Sequence, residues 1–421
     1  MVSKIHIDVS SEIGELEGVI LHTPGSEVEN MTPQNAERAL YSDILNLNVA
    51  RKEYSQLNGV LSKLTKTFQV ADLLTDILKN EKVKETLLHK ICKYEQKQFL
   101  NKHLFSLEAK ELSRQLIEGV IEEKNTLTKY LSKERYSLPP LHNFFFTRDS
   151  AISMLNEVLI GRMANTVRER ESLIMEAIFD YHEIFVTKTI NPLNSGSFTP
   201  NTTIEGGDVL IARDDILCIG QGTRTTSQGI DFILEKLINQ KNGKQHILVQ
   251  ELPYKPESFI HLDMVFTFLD TDKCMVYEPL ILEVNRFETI HIQVDNGKVT
   301  KISNEENMVS ALKNLGMDLK PVFCGGKKDL WTQEREQWHS GANFFAIGPG
   351  KVIGYERNTS TIEELNKNGF EVIKANDIIK GKIDPNNYKK YVITIEGSEL
   401  PRGGGGARCM TMPIRRKPVK W

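Results

Sequence analysis

Near the C-terminus, the segment GGGGARCMTMP (403–413) places a thiol, Cys409, just after a run of four glycines. A cysteine acts as a nucleophile through its thiolate and needs a neighbouring group that can take and return a proton. HLD supplies a candidate in His261, with Asp263 two positions on. On a strand, residues two apart face the same way, so both are expected to point into one cavity. IEGGD adds Glu205 and Asp208 around two glycines that permit close backbone approach, and FTRD adds Asp149. Carboxylates raise the pKa of a nearby thiol, which makes them poor company for protease or esterase chemistry. They suit a substrate that carries positive charge. A guanidinium is planar, permanently cationic and matched by bidentate carboxylates, and once bound its charge favours the thiolate that attacks its carbon. A metal held by His261, Asp263 and Cys409 fits less well, because a soft thiolate among hard carboxylates suits no common metal. Taken singly, a strand histidine is more often structural and an aspartate at a strand start is more often a turn residue. Their positions in the chain change that balance.

The order strand, strand, helix, strand recurs along the sequence. It runs from DSAISMLNEVLIGRMAN (149–165) through VRERESLIMEAIFDY to HEIFVTKTI, and again from DVLIARDDILCIGQG (208–222) through SQGIDFILEKLIN to KQHILVQEL. A third copy joins NFFAIGPGKVIGYERN (343–358), TIEELNKNG and FEVIKAND. A fourth opens with DMVFTFLDTDKCMVYEPL (263–280) and, after an inserted hairpin, continues with NMVSALKNLG and LKPVFCGG. GVILHTPG at the front begins a fifth. Such units cannot bury their apolar faces alone, and five of them suit a closed ring better than a long stack. In a ring, Asp149, Asp208, Asp263, Asn343 and Cys409, which open the successive units, would meet at one mouth. Residues 72–137 fall outside the pattern and read as a helical insertion, with Leu87, Leu88, Ile91 and Cys92 on one face and Leu112, Leu116, Ile117, Val120 and Ile121 on another. The expected fold is therefore an α/β ring of ββαβ units, residues 1–71 and 138–421, carrying that insertion.

Composition narrows the function classes. The chain has 421 residues, and 53 basic against 56 acidic side chains give a net charge of -3, which leaves no nucleic-acid footprint. The basic ending RRKPVKW reads as a solvated tail. No apolar run is long enough to span a bilayer, and the first residues lack a signal-peptide core, so the expectation is a cytoplasmic protein without membrane partners. Five scattered cysteines with no C-x-x-C pair argue against a disulfide framework or a zinc knuckle.

FTRD, IEGGD, HLDMVFT, REQW and GSELPRGGGGARCMTMP stand in the order and at the spacings found in bacterial arginine deiminases, and the resemblance runs from SEIGELEGVILHTPG to the last residues. It implies a five-bladed pseudo-symmetric α/β propeller that hydrolyses L-arginine to L-citrulline and ammonia without a metal or organic cofactor. Carried over, Cys409 is the nucleophile and Asp149 and Asp263 clamp the guanidinium. His261 is acid and then base, and Glu205 holds the imidazole, with Asp208 behind them. Arg168 and Arg224 match the pair that grips the α-carboxylate of free arginine; read from sequence alone they could equally be surface charge. Leu40, Asn143, Phe146 and the Gly403 backbone match further substrate contacts. The resemblance leaves a homodimer or higher homo-oligomer open. Departures are Gly404, where many members carry a mobile arginine at the pocket entrance, and Thr23, Ser42 and Met264 in place of Arg, Asp and Thr. A deiminase or amidinotransferase for another guanidine, such as agmatine or peptidyl arginine, shares the same groups. A silent binding propeller is the third reading.

Overall fold

The computed structural model describes residues 4–31, 41, 43–196, 199–240 and 243–421. Among them, five small sheets share one plan: an antiparallel pair, then a strand parallel to the second. Ala151–Met154 and Glu157–Ile160 are followed by Lys188–Ile190, and Val209–Arg213 and Ile216–Gln221 by Lys244–Glu251. Phe266–Asp270 and Lys273–Val276 are followed by Lys320–Phe323. A parallel neighbour can be reached only by a crossover, and Glu169–Tyr181, Ser227–Gln240 and Met308–Asn314 are the helices that make these three.

In the sheet of Phe345–Gly348 and Lys351–Tyr355 the expected partition is corrected. The sequence pattern has FEVIKAND closing the unit, but the parallel neighbour of Lys351–Tyr355 is Tyr391–Ile395, and Glu371–Lys374 lies outside it at the edge. The two runs differ in burial. All five residues of YVITI are buried, as a central strand covered on both faces requires, whereas three of the four residues of EVIK are exposed. The inserted hairpin, Thr289–Asp295 with Lys298–Glu305, extends the preceding sheet through Lys244–Glu251.

The fifth sheet joins the two ends of the chain. Met412–Arg416 pairs antiparallel with Leu16–Leu21, which runs parallel to Lys66–Gln69. The connecting helix Leu47–Leu64 is capped by Asn46, whose side chain accepts from the Val49 amide, and it buries Ala50, Tyr54, Leu57 and Leu61 at helical spacing. Part of the basic ending is therefore structural. Arg416 is buried, donating to the carbonyls of Gly14 and Ala346, and the solvated-tail reading holds only beyond it.

Helices Val70–Leu78 and Glu81–Tyr94 pack on the helix Glu169–Tyr181, Ala109–Glu118 packs on Val70–Leu78, and their apolar faces share one core with Ile174, Met175, Ile178 and Phe179. Helix begins at Val70, slightly before the expected boundary. The helix Ala109–Glu118 stops where Gly119 takes a left-handed φ of 88°, and only the short helix Leu127–Leu131 follows it in the insertion. Val120 and Ile121, expected on the helical face, instead form a short strand against Tyr136–Leu138, and Ile121 is exposed.

Candidate active site

Each unit-opening residue lies one to three positions ahead of its first strand, and all five are buried. Hydrogen bonds link them in a circuit. The Arg148 amide donates to the Cys409 carbonyl (3.1 Å), Gly206 to the Asp149 carbonyl (3.2 Å) and Asp263 to the Gly207 carbonyl (3.1 Å). Asn343 closes the loop, its Nδ2 donating to the Asp263 carbonyl (3.1 Å) and its Oδ1 accepting from the amides of Arg408 (2.9 Å) and Cys409 (3.2 Å).

The sulfur of Cys409 sits inside this circuit. It is 3.6 Å from Asp263 Oδ2 and accepts from Asn343 Nδ2 at 3.2 Å. Burial, reinforced by Asp263 and Asp149, pushes the thiol well above its ordinary value, against a hydrogen bond at Gly406 and the charge of Arg408. The glycine run makes this placement sterically possible. A β-carbon at Gly405 would come within 2.6 Å of the Phe146 ring and 2.9 Å of the Cys409 β-carbon, and one at Gly406 within 2.7 Å of Asn343. The crowding is against the protein's own side chains. Glu53, from the helix Leu47–Leu64, anchors the approach to this run by accepting the amides of Ser398 (2.6 Å) and Leu400 (3.0 Å).

His261 and Asp263 converge as expected, but by a different geometry. Leu262–Met264 is a 3-10 turn, so the alternation of a strand does not apply; the turn sends Leu262 into the core between them. Nε2 of His261 lies 3.0 Å from Glu205 Oε2, and Nδ1 lies 3.8 Å from Asp149 Oδ1. Among the described residues, no hydrogen-bond partner reaches Nδ1, which leaves that atom for proton exchange. Burial alone would favour the neutral ring, but Asp149, Asp208 and Glu205 outweigh it and raise the imidazole to about 9. Burial acts to raise Glu205 as well, and Arg224 and His261 overcome it and keep the carboxylate ionised. The pair is thus imidazolium and carboxylate at neutral pH. Asp208 accepts the Leu262 amide (2.9 Å), and burial lifts its carboxyl to about 7. Gly207 is required by contact: a β-carbon there would lie 2.3 Å from His261 Nδ1.

Both aspartates expected to clamp a guanidinium already hold one. Arg408 Nη1 lies 2.8 Å from Asp263 Oδ2, and its other nitrogens bond Glu12 at 3.0 Å. Arg168 Nη1 lies 2.7 Å from Asp149 Oδ2, while Nη2 lies 2.8 Å from Glu171. Arg168 is 5% exposed, which rules out the surface-charge reading, yet its guanidinium sits on a clamp carboxylate. Arg224 is 3.7 Å from Glu205. Asn143, Phe146, Asp149, Arg168, Arg224, His261, Gly403 and Cys409 all line one cavity of ≈ 20 Å³. That is room for about one water molecule, so an arginine can enter only if side chains move. Leu40 and Ser42 lie outside the described residues. Sequence reasoning misses Glu12, Glu171 and Arg408 as site residues and marks Asn343 only as a unit opener. Glu12 and Arg408 stand in the segments SEIGEL and GARC, and the sign of a partner there is the buried charge each implies.

Ligand atoms of Asp149, Glu205 and His261 lie within 4.8 Å of one another, the spacing of a metal site. The donor set fits one poorly. Asp149 already carries the Arg168 guanidinium and Glu205 the His261 ring, so a cation would have to displace both partners.

Residues 37–416 match the family model described as arginine deiminase. The chain is also 33% identical over 431 residues to the arginine deiminase of a Bacillus cereus strain, with 98% of this chain and 99% of the relative aligned. The chain belongs to the arginine deiminase family. The Listeria monocytogenes member is 32% identical, with 98% of each chain aligned. Outside the family, at the level of fold, the chain resembles an amidinotransferase from the saxitoxin pathway of Microseira wollei, with a TM-score of 0.55 at 13% identity, covering 99% of this chain and 98% of that one. It also resembles the N-terminal domain of ArgZ, solved covalently bound to a reaction intermediate, with a TM-score of 0.51 at 12% identity, covering 95% and 98%. The architecture is thus a mixed α/β fold shared with these two proteins. No helix among the described residues is long and apolar enough to cross a membrane.

Proposed function

We propose that this family member is an arginine deiminase acting through a covalent S-alkylthiouronium on Cys409, converting L-arginine and water to L-citrulline and ammonia. The observation that carries the reading is one cavity lined by a buried thiol, an imidazolium and Asp149, with Glu205 and Asp208 outside its lining helping to keep the ring protonated. In the unliganded site the acids oppose the thiolate. A substrate guanidinium reverses that balance by bringing its charge beside the sulfur.

Binding proceeds by exchange of one guanidinium for another. The substrate takes the place of Arg168 on Asp149, and Arg168, still on Glu171, turns with Arg224 to the α-carboxylate. As the substrate's charge arrives the thiol releases its proton to solvent, the thiolate adds to the guanidinium carbon, and His261 gives its own proton to the departing ammonia. The neutral ring then takes a proton from the water that cleaves the carbon–sulfur bond. Glu205 steadies the ring in both states, and Asp263, backed by Arg408, faces the substrate nitrogens.

The five sheets and the hydrogen-bond circuit support a five-bladed propeller made of 1–71 and 138–421, with 72–137 as its helical insertion. The free cysteines suit a cytoplasmic setting. The test is purified protein with L-arginine, read for citrulline and ammonia in equal amounts. Formation of a new guanidino compound from an added amine would instead establish an amidinotransferase. Arg168→Ala should raise the KM for arginine at least tenfold; an unchanged KM overturns the exchange.

A further inference from the structure

The catalytic cavity adjoins a second, much larger one. A vestibule of ≈ 340 Å³ lies outside it, and the two share Arg224, Ile260 and Gly404. At this boundary, among the described residues, a β-carbon on Gly404 would meet no atom within 4 Å, and the residue's φ of +87° excludes most side chains from the position. The vestibule's outer walls are aromatic. Tyr254 (66% exposed) and Trp338 (43% exposed) both line it.

Free L-arginine gives these walls nothing to hold, since beyond its α-carbon it has only an amine and a carboxylate. Arg224 stands at the shared edge, where the carboxylate is taken. Gly403 and Gly404 line the same cavity as Arg224, so an α-nitrogen turned toward their backbone would face the open space at Gly404. A group attached to that nitrogen would pass over Gly404 into the vestibule and lie against Tyr254 and Trp338, where an apolar or aromatic acyl group gains contact area.

We propose that this enzyme also deiminates arginine whose α-carboxylate is free and whose α-nitrogen is acylated, with the acyl group seated in the vestibule. The inference rests on the arginine deiminase reading. The chemistry at the guanidinium is unchanged: water oxygen replaces one terminal nitrogen, which leaves as ammonia, and the acyl–nitrogen bond stays intact. Two sources share this chemistry, a small Nα-acyl-arginine and the C-terminal arginine of a peptide.

The experiment compares kcat/KM for L-arginine, Nα-benzoyl-L-arginine, the dipeptide Phe-Arg and Nα-benzoyl-L-arginine amide, using the full chain and its Trp338→Ala and Tyr254→Ala variants. The expected result is turnover of benzoyl-arginine or Phe-Arg within about tenfold of L-arginine, with the amide at least a hundredfold poorer. Both variants should lower the acylated rates about tenfold and leave L-arginine within twofold. Preference between the first two acylated substrates identifies the source. Turnover of L-arginine with both acylated substrates more than a thousandfold slower overturns the inference and leaves the deiminase reading intact. Equal loss on all substrates in the variants overturns the vestibule's role. Absence of turnover on every substrate overturns the deiminase reading and this inference with it.

Discussion

Asp263→Asn tests the electrostatic core of the mechanism, because the same carboxylate should be needed for turnover and yet suppress the nucleophile at rest. Asp263 Oδ2 lies 3.6 Å from the Cys409 sulfur. At that distance and an effective dielectric of about 20, the repulsion between carboxylate and thiolate is about 4–5 kcal/mol. That corresponds to about 3 pKa units. Removing a negative neighbour stabilises the thiolate, so the thiol pKa falls, and Arg408, deprived of its 2.8 Å partner, acts in the same direction. Thiolate nucleophilicity drops with its pKa with a slope of about 0.4–0.5, which takes back nearly half of those decades and leaves alkylation at neutral pH about 30-fold faster. The assay is carboxamidomethylation of Cys409 by iodoacetamide in the unliganded protein, followed by peptide mass spectrometry across pH. Breaking a buried ion pair costs about 3–5 kcal/mol, so the melting transition of the variant is recorded first. Turnover should fall by at least a hundredfold while alkylation accelerates. A folded Asp263→Asn protein whose alkylation inflection stays in place would refute the reasoning.

The pH profile follows from His261. Its folded value is raised from 6.5 to about 9, so the imidazolium persists through neutral pH and is lost as pH rises through about 9. The kcat/KM for arginine should fall there, and Glu205→Gln, which removes the 3.0 Å acceptor, should move that limb down by about one unit or more. The same proton contributes stability that is complete below about 6.5 and disappears by about 9, so the melting temperature should fall more steeply over that window in the parent than in Glu205→Gln. Gly207→Ala puts a β-carbon 2.3 Å from His261 Nδ1; turnover should drop about a hundredfold, since a displacement of about 1 Å at a reacting group is enough, while circular dichroism stays unchanged.

The repeat was legible in the sequence because each unit alternates period-2 apolar runs with a 3.6-period stretch, and the openers Asp149, Asp208, Asp263, Asn343 and Cys409 hold the same place in successive units. Local patterning was silent on pairing. FEVIKAND and YVITI both read as strands, and which one lies beside Lys351–Tyr355 depends on what covers each face. The end of the helix at Gly119 was hidden for a similar reason: Val120 and Ile121 continue the apolar period, and only the left-handed backbone breaks it.

The chemical inventory, a thiol, an imidazole and several acids suited to a cation, was determined by the sequence alone, because residue type fixes charge and nucleophilicity. Partnership belongs to the tertiary structure. Nothing in the spacing of Arg168 from Asp149, or of Arg408 from Glu12 and Asp263, says that each arginine will sit on a clamp carboxylate. Nor does a glycine at 404 say whether a side chain there would strike a wall or open space. Charges find partners and cavities acquire volume through contacts between residues 19 to 396 positions apart, and those are set only when the five sheets pack.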